Sequence, residues 1–187
     1  MALLKRKIGS VFLAGACLAG FSCAGLLHAE AAEPSLEYAV KAAYLAKFAP
    51  FIEWPESAFA SPTAPLTICV AGADPFGADL DRAAQGQRDG DHPLAVRRMS
   101  APEPAAASCQ ILFASGPSDM VAAALEKLKT QPVLTVTDSD PRGIISFVVV
   151  ADHVRFDIDE AQADAAGLHI SSKLLGLAHT VKRNAQP

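Results

Sequence analysis

The side chains best suited to chemistry are two cysteines, Cys69 and Cys109, each in a strand-like apolar run, and four of the five histidines, the scattered His92, His153, His169 and His179. A thiol acts as a nucleophile or metal ligand only as its thiolate. Metal chemistry needs ligands at short spacing, and these histidines show neither HExxH nor any paired pattern. Ser115-Gly116 and Ser171-Ser172 lack the G-x-S-x-G elbow of a hydrolase nucleophile. No enzyme is expected from these residues. Two further cysteines, Cys17 and Cys23, lie near the N-terminus, and their fate decides what the other pair does.

Lys5, Arg6 and Lys7 form a basic start, Ile8 to Leu27 is apolar, and small residues follow at Ala29, Ala31 and Ala32. That order is the secretory signal peptide pattern, and cleavage after Ala31 fits it best. A retained signal anchor is the first alternative, opposed by the many Gly and Ala residues and the Ala-Glu-Ala exit. Lipidation of Cys17 or Cys23 is the second, opposed by the lack of an aliphatic residue three places upstream. The expected division is a leader over 1–31 and one exported, soluble domain over 32–187. Cys69 and Cys109 then form an even pair in an oxidising compartment, and a disulfide is the leading reading. The bond requires a compatible register, because Cys69 is mid-run while Cys109 opens its run.

Without Lys5, Arg6, Lys7 and Glu30, 13 basic side chains stand against 19 acidic ones, a balance of about −6. With no Lys/Arg tract, nucleic acid is not an expected partner. The absence of GxGxxG and P-loop patterns points to no nucleotide cofactor. The remaining length suits a single domain with a real core.

Apolar spacing predicts a helix from Leu36 to Ile52, disturbed by Pro50 and ended by Trp54-Pro55. Strands are expected at 66–72, 93–99, 109–115 and 133–137. Helices are expected at 78–85 and 120–129, the latter capped by Ser118 or Asp119. Runs at 144–150 and 153–158 read as a hairpin around Ala151-Asp152. Asp159 begins a helix that Gly167 stops. Ser171 or Ser172 caps a last helix through Val181, with Lys182 and Arg183 at its C-terminal dipole. The order implies an α/β three-layer sandwich: a mostly parallel sheet, helices on both faces, and a C-terminal antiparallel hairpin at one edge.

Asp74-Pro75-Phe76-Gly77 follows the first strand, where open α/β sheets bind ligands. The residues favour a tight turn plugged by Phe76 over an anion cradle. Trp54, beside Glu53, reads equally as a partner anchor or as a cover over the core. Ser171, Ser172 and Lys173 read as a cap and an exposed turn. A cleft between the first and last helices, with Lys173, Arg155 and His169 supplying charge, is the chosen contact surface.

Several segments together resemble a known family. Val40-Lys41-Ala42-Ala43-Tyr44-Leu45, Phe48 and Phe51-Ile52-Glu53-Trp54-Pro55 are similar to the opening of YfiR-like proteins. Ile68-Cys69-Val70, Gly72, Asp74-Pro75-Phe76-Gly77 and Cys109-Gln110-Ile111-Leu112-Phe113 continue the likeness. Val154-Arg155-Phe156-Asp157-Ile158 and Gly167-Leu168-His169-Ile170-Ser171-Ser172-Lys173-Leu174-Leu175 close it. The resemblance implies a non-enzymatic periplasmic repressor of a membrane-bound diguanylate cyclase, acting on that enzyme's periplasmic sensory region. It further implies a homodimer, relief by an outer-membrane lipoprotein, and a disulfide mapped onto Cys69 and Cys109. It places the regulatory surface at the terminal hairpin and the Ser171–Leu175 block. A second cysteine pair found near the hairpin in some members is missing here, and the stretch from Asp138 to Gly143 is shorter than usual. A periplasmic ligand receptor feeding another sensor, such as a histidine kinase, is the alternative.

Overall fold

The computed structural model describes residues 35–100, 108–138 and 140–183. The leader with Cys17 and Cys23, its cleavage point, and most of the Ala/Pro-rich loop over 100–108 lie outside the described residues. Ser35 caps the first helix, α1 (Leu36–Phe48), by accepting from the Tyr38 N–H. Pro50 then tightens the chain into a 3-10 turn over Ala49–Phe51. Strand β1 (Ile52–Glu53) and a second 3-10 turn, Glu56–Ala58, follow. The remaining elements are β2 (Leu66–Ala71), α2 (Ala78–Ala84), β3 (Arg88–Asp89), β4 (His92–Met99), β5 (Ile111–Ala114), α3 (Ser118–Leu128) and β6 (Leu134–Asp138). After them come β7 (Ile145–Val150), β8 (His153–Asp159), α4 (Glu160–Ala165), β9 (His169–Ile170), α5 (Ser172–Leu175) and β10 (Thr180–Lys182).

Eight strands build one sheet in the order β10-β8-β7-β6-β5-β2-β4-β3. Strands β4, β2, β5, β6 and β7 run parallel. β8 returns antiparallel to β7, and β3 pairs antiparallel with β4. This is the expected mostly parallel α/β sandwich with its hairpin towards one edge. β10 lies one place further out and parallel to β8. β1 and β9 form a separate two-stranded ribbon, Ile52 opposite Ile170 and Glu53 opposite His169.

The larger core layer packs Ala42, Leu45, Phe48, Leu80, Ala163 and Leu174 on one sheet face, made of Ile68, Val70, Ile111, Phe113, Val136, Phe147 and Phe156. On the other face Leu128 of α3 joins Cys69, Ala71 and Leu112, while its Val121 and Leu125 pack on Ala114. Period-two alternation explains the split within β6, which gives Leu134 and Val136 to the large layer and sets Thr135 and Thr137 opposite.

Two expectations need correction. α3 begins at Ser118 behind Pro117 and has no side-chain cap from Ser118 or Asp119. The last helix stops at Leu175 instead of Val181, and residues 180–182 join the sheet. Thr180 and Val181 are β-branched, and the outer edge of β8 offers unpaired backbone groups, so ladder bonds win over helix periodicity. Lys182 and Arg183 therefore pair with Asp159 and Glu160 at 2.8 and 2.9 Å, not with a helix end. Among the described residues no helix is long and apolar enough to cross a membrane.

Candidate functional site

Cys69, mid-strand in β2, and Cys109, just ahead of β5, are bridged with their α-carbons 5.9 Å apart. Gln110 sets that register, since its N–H donates to the Thr67 carbonyl and its side-chain oxygen accepts from the Thr67 N–H. Both sulfurs are buried, and Arg97 Nη2 lies 3.0 Å from the Cys109 sulfur. The bridge is a structural clamp between two central strands.

The other sequence candidates do not converge. Glu53 and His169 meet as a register pair of the β1–β9 ribbon, which the Ser171 N–H extends by donating to Phe51. Ser171 Oγ accepts from the Leu174 N–H and starts the single turn of α5, where Ser172 and Lys173 are exposed. Arg155 belongs to the hairpin instead and lines a different cavity. The C-terminal helix expected to wall a cleft with α1 is one turn long.

The loop after β2 is occupied by its own side chains. Asp74 Oδ1 accepts from the N–H groups of Phe76 and Gly77, which removes the donors an anion would use. Asp74 Oδ2 in turn accepts from Arg98, which also bonds Asp81 and the Gly77 carbonyl. Hydrogen bonds from Arg98 hold the Asp81 carboxyl below the usual range. Phe76 is fully buried, edge-on to both Tyr38 and Phe113.

Residues not singled out from sequence build the more distinctive cluster. Lys41, on the inner face of α1, is 1% exposed and donates to Asp138 at 2.8 Å and to Glu37. The Tyr38 hydroxyl donates to the same Asp138 at 2.8 Å. Burial pulls the Lys41 ammonium down, but its bonds to Asp138 and Glu37 outweigh that and leave its pKa above the ordinary value. The hydrogen bond to Asp138, with burial, raises Tyr38. The available signal was the lysine itself, one turn after Glu37 among apolar neighbours.

Beside this cluster, at the carboxyl ends of β2, β5 and β6, lies a polar crevice of about 700 Å³ lined by Glu37, Tyr38, Pro75, Ser115, Ser118 and Asp138. A second cavity of about 490 Å³ shares Glu37 and runs between α1 (Leu36, Val40, Tyr44) and the hairpin (Val149, Val154, Arg155). The register explains its position. β7 begins opposite Val136, near the end of β6, so the hairpin projects past the parallel strands beside the start of α1. Leu36 and Val149 are 83% and 52% exposed there, and Val40 is also open. A third cavity, of about 510 Å³, is walled by Trp54, Phe59 and His92. Among the described residues no group of three His, Cys, Asp or Glu side chains is placed to hold a metal.

A family model described as YfiR/HmsC-like matches residues 38–179, a span containing the disulfide, Tyr38, Lys41 and Asp138, and the hairpin. No curated protein matches the sequence. Among solved structures, the ABC domain in complex with L-Trp from Streptococcus pneumonia is similar over 75% of this chain, at 10% identity and a TM-score of 0.46. The chain spans 60% of that structure's length. The match over most of the described fold is decisive: the chain belongs to the YfiR/HmsC-like family.

Proposed function

We propose that the protein is a non-enzymatic periplasmic repressor that binds the periplasmic sensory region of an inner-membrane diguanylate cyclase and so lowers cyclic di-GMP. Family membership over residues 38–179 carries this reading. The apolar surface at Leu36, Val40 and Val149 supports it, because exposed patches of large aliphatic side chains mark interaction sites on soluble proteins. Arg155 and Glu37 flank that patch and supply charge for orientation. Export with loss of residues 1–31, a homodimeric active form and relief by an outer-membrane lipoprotein complete the proposal.

The test is cellular cyclic di-GMP in a deletion strain. A rise reversed by the wild-type gene is expected, together with co-purification of the cyclase's periplasmic region. Unchanged cyclic di-GMP overturns the reading. That outcome favours the second one, a ligand receptor feeding another sensor, which the 700 Å³ crevice at the strand ends supports.

A further inference from the structure

The third cavity sits where the chain leaves β1 and turns back towards β2, away from the α1–hairpin patch in its lining residues. Its walls are Trp54 and Phe59, whose rings meet edge to face at 6.5 Å and 73°, and His92, which stacks on Phe59 at 3.8 Å and 13°. Glu56 stands at its rim, exposed and with no ion-pair partner among the described residues. At about 510 Å³ the space falls in the range that holds a small molecule.

The chemistry of the lining is of one kind. Aromatic faces carry negative quadrupole density and attract cations. The Glu56 carboxylate accepts and does not donate. His92 Nδ1 lies 2.6 Å from the Ala64 carbonyl, so it must be the protonated nitrogen, and in the neutral ring Nε2 keeps its lone pair. Two donors depart from this pattern, the Ser61 hydroxyl and the Trp54 indole N–H. The indole N–H is buried and unpartnered among the described residues, and a cation offers it no acceptor. We propose that this cavity is a binding site for a small organic ammonium ion, held over the Trp54 and Phe59 rings with its N–H groups directed to Glu56 and His92. The site is independent of which partner the protein regulates, so its test reads binding alone.

Trp54 is the only tryptophan of the chain, so its fluorescence reports the cavity directly. The full mature protein is titrated with phenethylammonium and, separately, with uncharged 2-phenylethanol. Saturable change with the ammonium, about tenfold tighter than with the alcohol, is expected from a cation–π contact joined to a carboxylate. Glu56→Gln, a substitution at an exposed position, is expected to weaken the ammonium about fivefold while leaving the alcohol unchanged. Phe59→Leu tests the aromatic wall, with circular dichroism confirming the fold. Equal affinity for both probes, no saturation with either, or an unaffected Glu56→Gln variant overturns the assignment.

Discussion

The Lys41 side chain is the least expected residue of the fold, a charge buried to 1% exposure under α1. It is tolerated because Asp138 and Glu37 accept its hydrogen bonds while the ammonium sits 4.6 Å over the Tyr38 ring. Asp138→Ala takes away the main carboxylate and also orphans the Tyr38 hydroxyl. It is expected to cost about 2 kcal/mol in urea unfolding, less than the roughly 3–5 kcal/mol of a broken buried pair because Glu37 remains. Asp159 offers a pH readout. Burial pushes its carboxyl up, but bonds from Gln162 and Lys182 outweigh that and depress its pKa. A depressed pKa adds stability above the unfolded value and loses it as pH falls through the folded one. Asp159→Asn keeps the α4 cap and removes the charge, so it should cost about 1 kcal/mol at pH 7, limited by the exposed Lys182. Denaturation at a series of pH values should show that difference shrinking below about pH 4.

Among the elements, the junction between β2 and β5 is the tightest. Gly72 has φ +92°, and a Cβ there would stand 1.9 Å from the Ser115 carbonyl oxygen. Gly72→Ala is expected to lose at least about 2 kcal/mol, read as a lowered Tm. The disulfide joins the same two segments across a separation of 40 residues. Replacing Cys69 and Cys109 together by serine should lower stability by roughly 4 kcal/mol in the loop-entropy model. If the double variant still restores low cyclic di-GMP, the bridge serves the fold and not repression. The two strands were legible as apolar runs between punctuating residues. The bond geometry was not, since it depends on how Gln110 sets the register.

At the scale of the whole molecule, the start of α1 and the tip of the β7–β8 hairpin, more than a hundred residues apart in sequence, form one apolar groove. Leu36→Asp with Val149→Asp changes only exposed positions, so the fold should lose no more than about 1 kcal/mol. If the protein acts as proposed, binding of the cyclase's periplasmic region should weaken at least about tenfold, as expected when central apolar contacts of an interface are lost. Calorimetry measures both effects. Full-strength binding by a folded double variant would move the partner surface elsewhere, with the exposed α5 turn at Ser172 and Lys173 next to be tested.

Much of this protein was determined by its sequence alone. The alternation and apolar runs that make β2, β4, β5, β6, β7 and β8, the Ser35 and Asp159 caps, and the stop at Gly167 are local preferences, and local physics chose them. The ordered motifs that placed the chain in its family are also properties of sequence. Three features were decided only by the tertiary structure. Residues 180–182 became a strand because β8 had an open edge. Arg155 parted from Glu53 and His169 because the hairpin projects while the β1–β9 ribbon folds elsewhere. Lys41, Tyr38 and Asp138 came together because α1 lies across the end of β6. Each depends on contacts between distant segments, whose free energy no local window contains.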